Sequence, residues 1–366
     1  MKENRIALFF RGSGGGVGKV IPSLGASLRG KGYPVRLFAS KYEAGTSRDV
    51  NVEDLGQKKL IFSLPKLIFR ISQNRITLLF CAAHFPSLIG FLACKMAPRH
   101  CVPIPSIRTN LSRSTDGWGR VKYRLFRTGI RWVINHSPKT VAVSEGVRTD
   151  LVKNFGIKPE RIRVIYPPVL TPQMKQKAKE PVEHEWFRDF QTRVILSVGR
   201  LSKQKDYPTL IRAFSLFHRS NPEFRLVILG DGPERSALEK LIMQEGVADF
   251  VWLAGHQTNP FKFYPQADLF ALTSRWGGLD NVLVEAAYFG LPIVCTDFPY
   301  GPRELQQLGL LDQLAPEEDV KTLVTHFERA VQKPVAPERA WKAEKVFSLE
   351  AVASEHERLF RETLEP

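Results

Sequence analysis

Two periodicities alternate along this chain, and that alternation limits its fold more than any other feature. Short apolar runs of buried-strand length recur at Ile6–Phe10, Val35–Ala39, Leu78–Ala82, Thr140–Val143, Val194–Val198, Arg225–Leu229, Phe250–Leu253, Leu269–Leu272 and Ile293–Cys295. Segments with helical period lie between them, among them Thr209–Phe217, Arg235–Glu245 and Asn281–Phe289. Wholly apolar strands suit sheets covered on both faces, and strand–helix alternation is how parallel sheets are connected. The expectation is α/β layers. At 366 residues the chain has room for two domains, each with its own core. Tyr166–Pro167–Pro168, followed by the Lys- and Glu-rich stretch 173–185, reads as the linker. The predicted domains span 1–172 and 186–347 and face each other across a cleft, and Ser348–Leu364 reads as a terminal amphipathic helix.

Several classes are excluded. The four cysteines, Cys81, Cys94, Cys101 and Cys295, form no C-x-x-C pair, and no His/Cys cluster has zinc-ligand spacing. A disulfide scaffold and a structural zinc site are therefore not expected, and reduced thiols suit a cytoplasmic chain. The run Ile6–Phe10 is too short for a signal-peptide core. The longest apolar region, Ile76 to Ala97, is broken by His84, Pro86, Ser87 and Lys95. It reads as a buried strand over 76–83 and a buried helix over 86–97 rather than a membrane span.

Charge divides the chain. The formal net charge is +16, but residues 1–180 hold 32 Lys/Arg against 10 Asp/Glu, and residues 181–366 hold 21 against 27. An anionic partner for the first half is implied: nucleic acid, an anionic membrane or an acidic substrate. No zinc-finger or RNP signature is present, so nucleic acid is not expected. The densest stretch is Trp118 to Ile134, WGRVKYRLFRTGIRWVI. At 100° per residue, Arg120, Arg124, Arg127 and Arg131 form one stripe, and Trp118, Leu125, Trp132 and Val133 lie opposite. Such a helix either packs its apolar face on a sheet or lies in a membrane interface. A second basic and apolar stretch, Lys58 to Arg70, favours the membrane.

Three motifs carry chemistry. The first, RGSGGGVGK from Arg11 to Lys19, puts Gly14, Gly15 and Gly16 after the first strand. It is either a tight turn or a phosphate or sugar contact through backbone N–H groups. Ser13 and Val20 stand where a Walker loop needs Gly and Ser/Thr, and no G-x-G-x-x-G register fits. The second, SVGRLSKQKD from Ser197 to Asp206, offers Arg200 and Lys205 beyond a strand end, where α/β sheets bind ligands. A guanidinium fork and an ammonium suit a diphosphate. The third runs from Ser274 through Gly277, Gly278, Leu279, Asp280 and Glu285 to Asp297. Glu285 falls within a short helix and is either a ribose-diol acceptor or an ordinary surface carboxylate. Asp280, just before that helix, is placed to cap it.

Together with Gly230–Arg235 (GDGPER) and Ser144–Leu151, this ordered set resembles a group-one glycosyltransferase of the retaining, GT-B type, over nearly the whole chain. The resemblance implies two Rossmann-like domains, with acceptor in the first and nucleotide-sugar in the second. It also implies a last helix returning to the first domain, and no metal. It assigns the donor diphosphate to Arg200 and Lys205, the ribose to Glu285 and the base to the loop at Gly255, His256 and Gln257. Two departures stand out. The family's first glutamate falls on Gly277, and Arg108 stands where the family often has a histidine; His84, at an earlier strand end, is the other catalytic candidate.

The function expected is transfer of a hexose or N-acetylhexosamine from a nucleotide donor, UDP-linked, to a lipid-anchored or lipopolysaccharide-type acceptor. The enzyme would be cytoplasmic and bound peripherally at the inner face of the cytoplasmic membrane. The alternatives are a soluble transferase on a free sugar or polysaccharide, and a catalytically silent member that binds nucleotide-sugar.

Overall fold

The computed structural model describes residues 5–12, 15–42, 51–299, 301–333 and 335–365. The chain forms two compact units, Met1–Val169 with Phe347–Pro366, and Leu170–Val346.

Unit 1 holds a seven-stranded parallel sheet: β1 (Ile6–Gly12), β2 (Val35–Lys41), β3 (Val52–Asp54), β4 (Leu78–Ala82), β5 (Val102–Ile107), β6 (Thr140–Ala142) and β7 (Ile162–Val164). The spatial order is β3-β2-β1-β4-β5-β6-β7. Its helices are α1 (Gly15–Gly30), α2 (Leu64–Gln73), α3 (His84–Met96), α4 (Leu111–Ser114), α5 (Arg120–Asn135) and α6 (Glu145–Phe155). The two faces of β1 explain the layering. Ile6, Leu8 and Phe10 point into a core built with Val20, Leu24 and Leu28 of α1. Ala7 and Phe9 point the other way, into a core with Leu67 and Ile71 of α2 and Ile89 and Ala93 of α3. Successive side chains of a strand alternate faces, so an all-apolar strand needs helices on both sides.

Unit 2 repeats the plan with β8 (Arg193–Val198), β9 (Phe224–Leu229), β10 (Val251–Gly255), β11 (Leu269–Leu272), β12 (Ile293–Thr296) and β13 (Gln313–Ala315). Its order is β10-β9-β8-β11-β12-β13, also all parallel. The helices are α7 (Gln173–Lys177), α8 (Tyr207–His218), α9 (Arg235–Gln244), α10 (Asn281–Tyr288), α11 (Gly301–Gln307), α12 (Val320–Gln332) and α13 (Arg339–Phe347). The stretch 173–185, expected as a linker, falls inside this unit: it contains α7, and Met174 and Val182 are buried.

The last helix, α14 (Leu349–Leu364), belongs to unit 1. Ser348 caps it, its side chain accepting from the Ala351 N–H. Val352, Ala353, Leu359 and Phe360 enter the same core as α1, and Phe360 meets Phe80 with ring centroids 5.9 Å apart. On its rim, Arg163 reaches Glu362 at 2.6 Å and Glu355 at 3.4 Å.

His356 is 3% exposed, with Nδ1 2.9 Å from the Val352 carbonyl and its ring edge-on to Phe80. Burial pushes its pKa down to about 4. A folded value below the unfolded one of about 6.5 means the unfolded chain binds more protons between these two pH values, so stability falls with pH there. Between pH 7 and 4, urea unfolding should show wild type losing roughly 3 kcal/mol more than His356→Gln. Parallel curves would contradict the assignment.

Candidate functional site

In unit 2 the strand order reverses at β8, which has β9 on one side and β11 on the other. A crevice opens beyond the carboxyl ends of strands at such a switch point, and loops there bind ligands. The loops in question are 199–206, after β8, and 273–280, after β11.

The first loop rests on glycine backbones. The Gly199 N–H donates to the Leu229 carbonyl at 2.9 Å, and the Leu201 N–H to the Asp231 carbonyl at 3.1 Å. A Cβ on Gly230, which has φ +135°, would sit 2.0 Å from the Gly199 oxygen, and one on Gly232 2.2 Å from the Leu201 oxygen. Only glycine permits that approach. The GDGPER motif therefore acts here as a floor beneath Arg200.

The two loops are stitched together. Thr273 Oγ1 donates to the Lys205 and Asp206 carbonyls, both at 3.0 Å. The Arg275 N–H donates to the Gln204 carbonyl at 2.9 Å, and the Gln204 side-chain amide to the Trp276 carbonyl at 2.7 Å. Asp206 has the left-handed φ of 46°, rare for a non-glycine residue, and is held by Thr209 and Arg275.

Lys205 does not stand open. Its Nζ pairs with Asp280 Oδ2 at 2.9 Å, and Ser274 Oγ donates to the same oxygen at 3.2 Å. Asp280 does occupy the N-cap position of α10, but its side chain makes no capping hydrogen bond. The expected capping role is thus corrected: the lysine holds the carboxylate away from the helix end. An ammonium has three donors, so Lys205 can keep Asp280 and still meet an anion. Arg200 is exposed at the mouth of the loop.

Glu285 sits on α10, half-buried, and accepts a 2.6 Å hydrogen bond from Tyr264 Oη. Burial, and then this carboxylate, raise the Tyr264 pKa well above the ordinary value, so the phenol stays a donor. His256 is exposed just beyond β10. Gly277, Gly278 and Leu279 are buried. A Cβ on Gly277 would lie 3.1 Å from Phe298 Cε2, and 3.5 and 3.6 Å from the Asp280 oxygens. Asp280 thus brings a carboxylate beside the bare backbone of Gly277.

Unit 1 has its own switch point, between β1 and β4. Gly14 lies outside the described residues; Gly15 and Gly16 open α1 directly after the turn. His84 begins α3 beyond β4, behind Ala83, whose φ of 97° is strained for a residue with a Cβ. Burial pushes the His84 pKa down to about 4, which leaves it neutral near pH 7, and its Nδ1 finds no partner among the described residues. Arg108 follows the next strand, β5, where burial pulls its pKa down to about 10. Both catalytic candidates therefore stand at carboxyl strand ends of one sheet.

α5 has three faces rather than two. Phe126, Ile130, Val133 and Ile134 are buried. Val121 and Leu125 are 73% and 70% exposed, and Trp132 is exposed beside Phe91 of α3. Of the arginine stripe, Arg127 Nε donates to the Asn154 carbonyl at the end of α6, and Arg131 lies against Gly156. Arg120 and Arg124 remain exposed. Trp118 meets Phe126 edge-to-face, ring centroids 5.4 Å apart, and carries Lys122 over its ring at 3.9 Å. The apolar set read from the sequence is thus divided: Val133 enters the core, while Leu125 and Trp132 face outward. α2 packs on α3, and α3 on α5. This helical layer also exposes Ile61, Phe62, Phe69, Phe85 and Met96. Among the described residues, no helix is long and apolar enough to cross a membrane.

The sequence reading did not find Tyr264 or Thr273, and it gave no role to Gln204 and Ser274 although both lie within the quoted motifs. Tyr264, Gln204 and Thr273 act through partners 21, 72 and 68 residues away, so no local spacing marks them. Gly230 and Gly232 did carry a signal, two glycines flanking one residue after a strand, but their load-carrying partner was not legible.

Residues 180–346 match the family described as glycosyl transferases group 1, and residues 14–171 match glycosyltransferase family 4. A Campylobacter jejuni protein is 34% identical over 211 residues, 56% of this chain and 55% of its own length. It is named N-acetylgalactosamine-N,N'-diacetylbacillosaminyl-diphospho-undecaprenol 4-alpha-N-acetylgalactosaminyltransferase. The lipopolysaccharide 1,6-galactosyltransferase of Salmonella typhimurium is 27% identical over 55% of each chain. The chain thus spans about half the length of these curated relatives. An Anabaena protein crystallised with UDP superimposes with a TM-score of 0.78 at 17% identity, covering 98% of this chain and all of that one. That likeness shows the fold, which is GT-B.

Breaking the Lys205–Asp280 pair tests the local geometry. Asn and Asp cap helices about equally well, so a capping aspartate would tolerate Asp280→Asn. A paired one would not: the change should cost about 2 kcal/mol in urea unfolding, because Lys205 is left largely buried without its counter-charge. A neutral result would restore the capping role.

Proposed function

Because the chain belongs to the group 1 glycosyl transferases, we propose that it moves a hexose or N-acetylhexosamine from a UDP-linked donor to a lipid-anchored or lipopolysaccharide-type glycan. The transfer retains anomeric configuration and takes place at the cytoplasmic face of a membrane. The observation that supports the reading is the stitched pair of loops at the unit 2 switch point: one carries Arg200 and Lys205, and the other leads into the helix that carries Glu285, which Tyr264 orients.

In this reading Arg200 and Lys205 bind the donor diphosphate and stabilise the charge that grows on it as the glycosidic bond breaks. The protein's own cations meet that charge, so the reading calls for no metal. Glu285, oriented by Tyr264, accepts from the ribose diol, and the loop at His256 meets the base. Arg108 and neutral His84 act on the acceptor side. Asp280 beside Gly277 gives the donor-sugar pocket a carboxylate at a changed position. The Anabaena structure, solved with UDP, supports the nucleotide. The names of the Campylobacter and Salmonella relatives, which refer to an undecaprenol-diphosphate glycan and a lipopolysaccharide, support the acceptor class.

Membrane docking rests on the layer of α2, α3 and α5. Exposed aromatic and aliphatic side chains there sit beside Lys58, Lys59, Lys66, Arg120 and Arg124. Apolar insertion combined with basic charge is how peripheral proteins hold an anionic surface.

Three measurements bear on this. Arg200→Ala and Lys205→Ala should each weaken UDP binding tenfold or more by calorimetry, since a charge-assisted contact contributes about 1.5–3 kcal/mol. Unchanged affinity in both would sink the donor assignment. Val121→Asp with Leu125→Asp, or Arg120→Glu with Arg124→Glu, should abolish low-salt sedimentation with anionic vesicles while UDP binding persists; a wild type that ignores such vesicles ends the membrane reading. A panel of nucleotide-sugars with membrane extract as acceptor should show turnover with at least one donor. Gly277→Glu, which crowds Phe298 and sets a second carboxylate beside Asp280, should lower activity or shift donor preference. Activity gained from an inactive wild type would instead mark a silent member.

A further inference from the structure

A recess of about 890 Å³ opens at the amino ends of the central strands of unit 1, the edge opposite the turn into α1. Four arginines line it, each from a different place in the fold. Arg5 precedes β1, Arg29 lies near the end of α1, Arg36 is in β2, and Arg75 follows α2. The other lining residues include Tyr33, Asn74 and Thr77, and none is acidic. Among the described residues, no carboxylate pairs with any of the four guanidinium groups. At the rim, Glu357 accepts from Tyr33 at 2.9 Å and is shared with Lys31 and Arg361.

Two of the arginines are fixed by backbone carbonyls. Arg29 donates from Nε to Val35 at 2.9 Å and from Nη2 to Asn51 at 3.4 Å, and Arg5 donates from Nη1 to Asn74 at 3.2 Å. Arg36 and Arg75 are exposed. The like charges act on one another: burial and then Arg36 lower the Arg29 pKa. Among the described residues, folding has therefore gathered four cations without a paired carboxylate, and an anion from outside would relieve their repulsion. Guanidinium forks match the oxygens of a phosphate group.

We propose that this recess is an anion site for a phosphate-bearing ligand, separate from the diphosphate loop of unit 2. Two sources share that chemistry: a soluble phosphate ester, and the headgroup of an anionic lipid reached where α2, with its exposed Phe69, runs into Asn74 and Arg75.

Inorganic pyrophosphate is the probe, and the full chain carrying Arg200→Ala and Lys205→Ala is the receptor, so that the unit 2 loop does not report. Calorimetry should detect binding to this protein. Adding Arg36→Ala and Arg75→Ala should weaken it at least tenfold with no change in thermal unfolding; the same pair in an otherwise wild-type chain should leave UDP binding unchanged. Displacement of the probe by vesicles of phosphatidylcholine and phosphatidic acid identifies the lipid source, and retention identifies the soluble one. The proposal is overturned by absence of pyrophosphate binding to the unit 2 double variant, or by binding that Arg36→Ala with Arg75→Ala does not move.

Discussion

A strand whose first five side chains are apolar on both faces leaves a chain little freedom. β1 sends Ile6, Leu8 and Phe10 to one side and Ala7 and Phe9 to the other, and all five are buried. Helices must then cover both faces, connections must be crossovers, and the strands must run parallel. The C-terminal helix follows from the same demand, since α1 alone leaves Phe80 and its neighbours uncovered on that side and α14 closes the gap. Parallel strands also end together. The loops beyond their carboxyl ends form the crevice in each sheet, and both His84 with Arg108 and the loops around Arg200 lie there.

The layered fold was legible in the sequence for this reason: apolar runs and helical periods record burial directly. What escaped did so for identifiable causes. β3, β7 and β13 are three residues each, too short to show a period. β5 contains Pro103 and Pro105, which lack N–H donors. Its bonds to β4 begin at Val102, whereas β6 joins only from Ser106. The prolines sit at alternate residues on the side that β6 does not reach, so no ladder bond is lost.

The candidate cations were legible because charged residues just after a strand end stand out, and Glu285 because it follows a Gly–Gly turn into a short helix. Its electrostatic wiring was not. Asp280 stands where a cap belongs, yet Lys205 and Ser274 take its carboxylate. Residue type and position predicted one partner, and a lysine 75 residues away supplied another. Only the fold brings those loops together. The same holds for Tyr264, whose hydroxyl aims Glu285 from 21 positions upstream.

α5 shows what it means for a helix to have no spare face. One side is core, a second ties Arg127 and Arg131 to the end of α6, and a third exposes Val121, Leu125 and Trp132. A helix with an idle side can absorb the loss of a residue by turning. Here the loss of one residue within α5 would rotate everything beyond it by about 100°, bringing an arginine toward the core or a core residue to the surface. Substitutions along α5 can therefore accumulate while its length stays fixed, so the helix works as a ruler in the history of the chain.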